Sequence, residues 1–242
     1  MFMYGLGLIP NEEESTLFLF ELEDGSILER EIEIQDARQG NVDYVLSYEE
    51  RHMNLYRSSN EDYYWYTYLD EAKAVHFKYN LCRDMDDMPF ISFSKNMFEE
   101  IKDYPVEKFI IDLRHNVGGD SSIILPFLFH LKLFKEDNPE TEIFVIIGRN
   151  TFSSGIRATL DLQRDFSVTL VGEATGGSPN AYTELQSSKM PNSGIQFFYS
   201  VKYFEGTKEG VQTILPDEAI SISIEDFKMN RDVVLQHILN RE

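Results

Sequence analysis

Three loops, each following a short apolar run, carry the residues best suited to chemistry. They read Arg114-His115-Asn116-Val117-Gly118-Gly119, then Arg149-Asn150-Thr151-Phe152-Ser153-Ser154-Gly155, then Gly172-Glu173-Ala174-Thr175-Gly176-Gly177-Ser178. In open α/β sheets ligands collect at the carboxyl ends of the strands, so these loops mark a place before any reaction is named. Ser153 stands where a strand is expected to turn into a helix. A hydroxyl there lies near the positive end of the helix dipole and its free N–H groups. That suits a nucleophile whose tetrahedral intermediate carries an oxyanion. It equally suits an ordinary N-cap serine, and the segment alone leaves both uses open. Gly118-Gly119 could present a backbone N–H to the same oxyanion, or form a tight strand-to-helix turn that needs positive φ. A phosphate-binding turn is a third use of such a pair, although neither GxGxxG nor GxxxxGK[ST] is present.

The remaining reactive residues are sparse. Cys82 is the single cysteine, which excludes an intramolecular disulfide and any multi-cysteine metal site. With no adjacent base it reads as a strand-end residue rather than a nucleophile. Five histidines are scattered, with no HExxH or CxxC pairing, so no metal and no cofactor is expected. The chain has 42 acidic against 22 basic residues, a formal net charge of -20. Such a surface repels phosphate backbones and anionic membranes, which argues against a nucleic-acid partner or membrane docking. No apolar run approaches the roughly 20 residues of a membrane helix. The opening MFMYGLGLIP is short and lacks a basic region, so it does not read as a signal peptide. A cytoplasmic location is expected of the chain as it stands, and an extracytoplasmic one if the N-terminus is incomplete.

The elements that must position the loops follow from periodicity. Residues 16–34 form two alternating stretches flanking Asp24-Gly25, a hairpin signal. Residues 35–60 are polar and irregular. The aromatic-rich run at 62–69 suits core or partner packing, and 73–80 suits a strand. Residues 94–103 suggest a short helix capped by Ser94. Residues 109–113, 143–147 and 168–172 are short apolar strands. A helix is expected after the first of them, with Ile124, Phe127, Leu128 and Leu131 spaced i, i+3, i+4, i+7, and another over about 154–166. This β-α-β-α-β alternation predicts parallel strands with helical crossovers. Residues 195–204 suggest a sheet strand. The end of the chain suggests a terminal helix capped near Ser223 or Asp226. The expected division is a hairpin region over 1–60 and a main domain over 61–242.

Taken together these segments resemble the S41 serine peptidases, the C-terminal-processing or tail-specific proteases. FIIDLRHNVGGDSS resembles the family's IDLR-x-N-x-GG segment, and IFVIIGRNTFSSGIRATLDL its nucleophile segment. VTLVGEATGGSPNAY resembles VGE-x-T-x-G. ILPDEAISIS with Asp232 resembles the closing PD…D-x-x-L pattern. The resemblance covers about residues 65–240, in order. It implies an α/β fold built as a ClpP/crotonase-like spiral of β-β-α units, and hydrolysis of peptide bonds in unfolded or C-terminal segments. By position, Ser153 matches the nucleophile and the N–H of Ser154 one oxyanion donor. Gly118 or Gly119 matches the other, with Gly118 preferred. The implied partner is a peptide or protein substrate.

Two departures stand out. The Ser–Lys branch of the family has its lysine base just after the VGE-x-T-x-G turn, where this chain has Ser178. A serine cannot replace a desolvated amine as base. Glu184 falls near a residue that orients the base in relatives, and also reads as a solvated carboxylate. A tricorn-like branch takes a histidine base from the strand before IDLR. Here that strand is AVHFKYN, which offers His76 or Lys78 on one strand face. The N-terminus also lacks room for a full PDZ-like domain, and residues 16–34 resemble the last hairpin of one. The expectations are therefore an active serine endopeptidase with an unusual base, or a weak or inactive relative that binds peptides. A crotonase-like acyl-thioester enzyme would need a basic region that the composition does not offer.

Overall fold

The computed structural model describes residues 15–22, 24–33 and 62–241. The chain divides into two compact units, residues 1–49 and 50–242. In the first, Ser15–Glu21 (β1) pairs antiparallel with Ile27–Glu33 (β2), from Ser15 opposite Glu33 to Glu21 opposite Ile27. The expected Asp-Gly turn closes it. Gly25 takes φ 78, and Asp24 Oδ1 accepts from the Ser26 N–H at 2.9 Å.

The second unit is built on a six-stranded mixed sheet. Its strands are Tyr64–Leu69 (β3), Ala74–Tyr79 (β4), Lys108–Asp112 (β5), Glu142–Ile147 (β6), Val168–Gly172 (β7) and Glu218–Ala219 (β10). Their spatial order is β10-β7-β6-β5-β4-β3. Only β3 runs antiparallel to its neighbour. Parallel strands are covered on both faces, which is why β5 and β6 read as nearly continuous apolar runs. On one face Val75, Phe77, Phe109, Ile111 and Val145 pack under Phe90–Ile101 (α1), Leu125–Asp137 (α2) and Ser154–Asp165 (α3). On the other, Ala74, Ile110, Phe144 and Ile146 meet Val233–Leu239 (α5). The predicted parallel strands and helical crossovers are thus present.

Several boundaries differ from expectation for local reasons. The first helix begins at Phe90, not Ser94, because its apolar spacing starts there: Phe90, Phe93, Met97 and Ile101 all face the core. Ser94 lies inside the helix, buried, with its hydroxyl 2.9 Å from His130 Nδ1. The aromatic run forms β3, where Tyr64 is buried against Phe90 and Phe93 with centroids 4.8 Å away from each. The terminal helix is split. Ser223 and Asp226 form a capping box on Ile224–Lys228 (α4), and Asp232 caps α5. Gln196–Glu205 (β9) is a strand, but it pairs with Asn180–Lys189 (β8) in a separate two-stranded sheet.

One side-chain cluster ties the sheet to the end of the chain. Asp112 lies 3.1 Å from Lys78 Nζ, 3.2 Å from His76 Nε2 and 3.0 Å from Arg114 Nε. Arg114 reaches on to Asp232 at 2.9 Å. Burial alone would raise the Asp112 carboxyl, but Arg114, Lys78 and His76 hold it well below the usual carboxylate range. Burial pushes the Lys78 ammonium down to about 8 against the opposing pull of Asp112. Asp112→Ala should cost about 3–5 kcal/mol in urea unfolding, because it leaves buried cations without their anion. A carboxyl with a depressed folded pKa stabilises the fold above its unfolded pKa of about 3.9 and loses that contribution as pH falls further. Wild-type stability should therefore drop steeply below about pH 4, while an Asp112→Asn variant, already weakened, should show a shallower acid limb.

Candidate active site

Ser153 joins β6 to α3 with φ 51 and ψ -119, a conformation that non-glycine residues rarely adopt. Such strain costs on the order of 1–3 kcal/mol and persists only where the surroundings over-determine it. Here they do. The Thr151 hydroxyl donates to the Leu113 carbonyl at 2.8 Å and accepts from the Gly148 N–H at 3.0 Å. Phe152 N–H donates to the Asn116 carbonyl at 2.9 Å, and the Ser153 carbonyl accepts from Ile156 and Arg157 at 3.0 and 3.3 Å. The Ser153 side chain occupies the N-cap position yet caps nothing. It is exposed, and its hydroxyl makes no hydrogen bond among the described residues. The N-cap use left open by the sequence is thus not the one adopted.

The diglycine turn sits directly on this serine. Gly118 and Gly119 have φ 108 and 128, and a Cβ on Gly118 would lie 2.7 Å from Ser153 Cβ and 3.1 Å from Ser154 N. The Ser154 hydroxyl donates to the Gly119 carbonyl at 2.5 Å. The Gly118 amide, preferred from sequence as an oxyanion donor, already donates to Asn116 Oδ1 at 3.0 Å. The Gly119 and Ser154 amides have no acceptor among the described residues.

Asn116 is the residue that the sequence reading left without a role. It is fully buried. Its Nδ2 donates to the Tyr79 carbonyl at the end of β4 at 2.9 Å, its Oδ1 orients the diglycine turn, and its carbonyl holds Phe152. Gly155 approaches so closely that an added Cβ would lie 2.7 Å from the Asn116 carbonyl oxygen. The signal available in the sequence was an amide side chain two residues before a diglycine, where it can reach a turn N–H.

The residues expected as bases are engaged with other partners. His76 and Lys78 alternate with Val75, Phe77 and Tyr79 on β4, so they share the Ala74 face of the sheet with α5, whereas α3 packs on the opposite face. Both have 0% exposure and are engaged with Asp112. Ser178 accepts from Asn180 N–H at 3.1 Å and donates to the Val211 carbonyl at 3.0 Å. Glu184 has φ 57, is exposed on the β8–β9 hairpin and pairs with Lys202 at 2.9 Å. Cys82 is buried beside Gly119, and burial raises its thiol pKa. Among the described residues, no group of three or more His, Cys, Asp or Glu could hold a metal, and no helix is long and apolar enough to cross a membrane.

No model of a known protein family matches this sequence, and no curated protein matches it. Solved structures do. Mature CPAF is 12% identical with a TM-score of 0.53, over 93% of this chain and 65% of that one. A Bacteroides fragilis protein designated an S41 protease is 12% identical with a TM-score of 0.52, over 92% of this chain and 64% of that one. A Parabacteroides merdae protein designated a peptidase is 17% identical with a TM-score of 0.50, over 74% of this chain and 65% of that one. The chain therefore has an S41-like protease fold, on a mixed α/β architecture, and spans slightly less than two thirds of these proteins' lengths.

Because the Asn116 side chain bonds the Tyr79 carbonyl and the Gly118 N–H, Asn116→Ala should lower unfolding stability by about 1–3 kcal/mol by stranding those buried backbone groups. Gly118→Ala should also destabilise, through positive φ and contact with Ser153. Urea titrations of both variants check this, with Val117→Ala, an exposed neighbour, expected to change little.

Proposed function

We propose that this chain is a slow serine-type peptidase that hydrolyses peptide bonds in unfolded or C-terminal segments through an acyl-enzyme on Ser153. The observation carrying this reading is the strained, exposed serine whose hydroxyl, like the nearby Gly119 and Ser154 amides, is unbonded among the described residues. Strain of this kind belongs to strand-to-helix nucleophile turns, where it lifts the hydroxyl clear of the backbone. Ser153 Oγ attacks the scissile carbonyl, and the oxyanion accepts from the Gly119 and Ser154 N–H groups. Collapse of the intermediate expels the amine, and water then cleaves the ester. No described residue is hydrogen-bonded to the Ser153 hydroxyl, so in this reading solvent water takes the serine proton and returns it to the departing amine nitrogen. Serine-peptidase sites stripped of one triad member still retain about 10^3–10^4-fold acceleration over water, which sets the expected scale. The resemblance also supports residues 61–242 as the peptidase domain, residues 1–60 as an appended hairpin region, and a ClpP/crotonase-like spiral for the β-β-α succession that opens with β3, β4 and α1.

A second reading, a peptide-binding relative without turnover, is favoured by one observation: the Ser178 hydroxyl is held by Asn180 and Val211 at the position where the resemblance places a lysine. Release of labelled peptides from an unfolded protein substrate separates the two. Wild type should turn over slowly, Ser153→Ala should not, and Ser178→Lys should raise the rate tenfold or more by restoring an amine base (order of magnitude). Binding without turnover by both wild type and Ser178→Lys would establish the second reading.

A further inference from the structure

The residue one helical turn beyond the nucleophile is a cation without an anion among the described residues. Arg157 lies on α3, and its amide donates to the Ser153 carbonyl at 3.3 Å. Helical side chains lean toward the N-terminus, which for Arg157 is the side of the Ser153 turn. Its guanidinium stacks on Phe204 of β9 with Cζ 4.0 Å from the ring centroid. Phe204 pairs with Ala181 at the root of the β8–β9 hairpin. That hairpin leaves the 175–178 turn, where the Gly176 N–H donates to the Thr151 carbonyl at 3.0 Å. The planar group is thus seated against the root of the hairpin that follows the 175–178 turn, one helical turn from the nucleophile in sequence.

Among the described residues its charge is unanswered. The chain carries 42 acidic residues, and Arg114, Arg149, Arg164, Arg231 and Arg241 each pair with a carboxylate. Arg157 is half-buried and has no carboxylate partner among the described residues, and its Nε is buried without an acceptor. A guanidinium preset by stacking presents a fork suited to bidentate capture of a carboxylate. We propose that Arg157 is a specificity-determining residue that binds a carboxylate of the peptide seated at Ser153. This inference rests on the peptide-site reading above. Two sources share that chemistry: the peptide's own C-terminus and an aspartate or glutamate side chain. With a net charge of -20 the protein as a whole repels such ligands, so a preference for them requires a local cation.

The test uses the full chain as its Ser153→Ala variant, so that binding is read without turnover. Fluorescein-labelled alanine-leucine decapeptides are compared by anisotropy: one with a free C-terminal carboxylate, one C-terminally amidated, and one amidated with an internal aspartate. A carboxylate-bearing peptide should bind about tenfold more tightly than the amidated one, with the advantage shrinking as salt rises. Whichever carboxylate peptide gains identifies the source. Arg157→Gln should erase the advantage, and Arg157→Met, which keeps the apolar stem, should do the same, with thermal melts confirming that both fold. Arg157→Lys should retain only part of it. Equal binding of charged and neutral peptides, or a preference that survives in a folded Arg157→Gln protein, overturns the assignment while leaving the peptide site intact. Failure of every peptide to bind overturns the peptide site itself and this inference with it.

Discussion

Everything at the site depends on how a single buried amide is satisfied. Asn116 donates to the end of β4, accepts from the diglycine turn and, through its backbone, anchors the residue before the nucleophile. A buried side chain of this kind is bound by a strict accounting, since each unpaired group costs the full desolvation penalty. In the geometry that satisfies it, Gly118 lies against Ser153, where an added Cβ would be 2.7 Å from Ser153 Cβ. The strain at Ser153 is then not a local accident. It is the outcome of bonds that fix the turns on either side of it.

The two faces of the sheet divide the labour. On one, three helices bury a large aromatic and aliphatic core, and the last of them begins at the nucleophile. On the other, an ionic cluster centred on Asp112 locks β4, β5 and the loop ahead of α5 into one assembly. The IDLR segment therefore contributes structure through Asp112 and Arg114 and site geometry through the residues that follow. Buried ion pairs are a weak source of net stability compared with apolar packing, but removing one member is severe. That asymmetry suits a cluster whose work is to fix register beneath a site.

Much of the scaffold was legible from periodicity. The strands at 108–112, 142–147 and 168–172 are continuous apolar runs bounded by glycine or charge, and the Asp24-Gly25 hairpin carries its own turn chemistry. Ser153 and the diglycine were legible as a place, because both follow strand ends. The base assignment was not. Alternation shows that His76 and Lys78 share a face, but which face lies toward α3 is decided by topology, and a strand covered on both sides offers no polarity contrast to read. Asn116 and Arg157 escaped notice for a related reason: their roles come from partners 37 and 47 residues away in Tyr79 and Phe204. Ser94 misled because serine is a common cap, while the apolar spacing that sets the helix start had begun four residues earlier.

The most direct measurement is covalent modification by a fluorophosphonate, followed by mass mapping of the tryptic segment 150–157. A single adduct on Ser153 of the folded protein, absent from Ser154, is the expected result. Folded protein that stays unmodified across the pH range, or carries its adduct on another serine, would contradict a nucleophile at this turn.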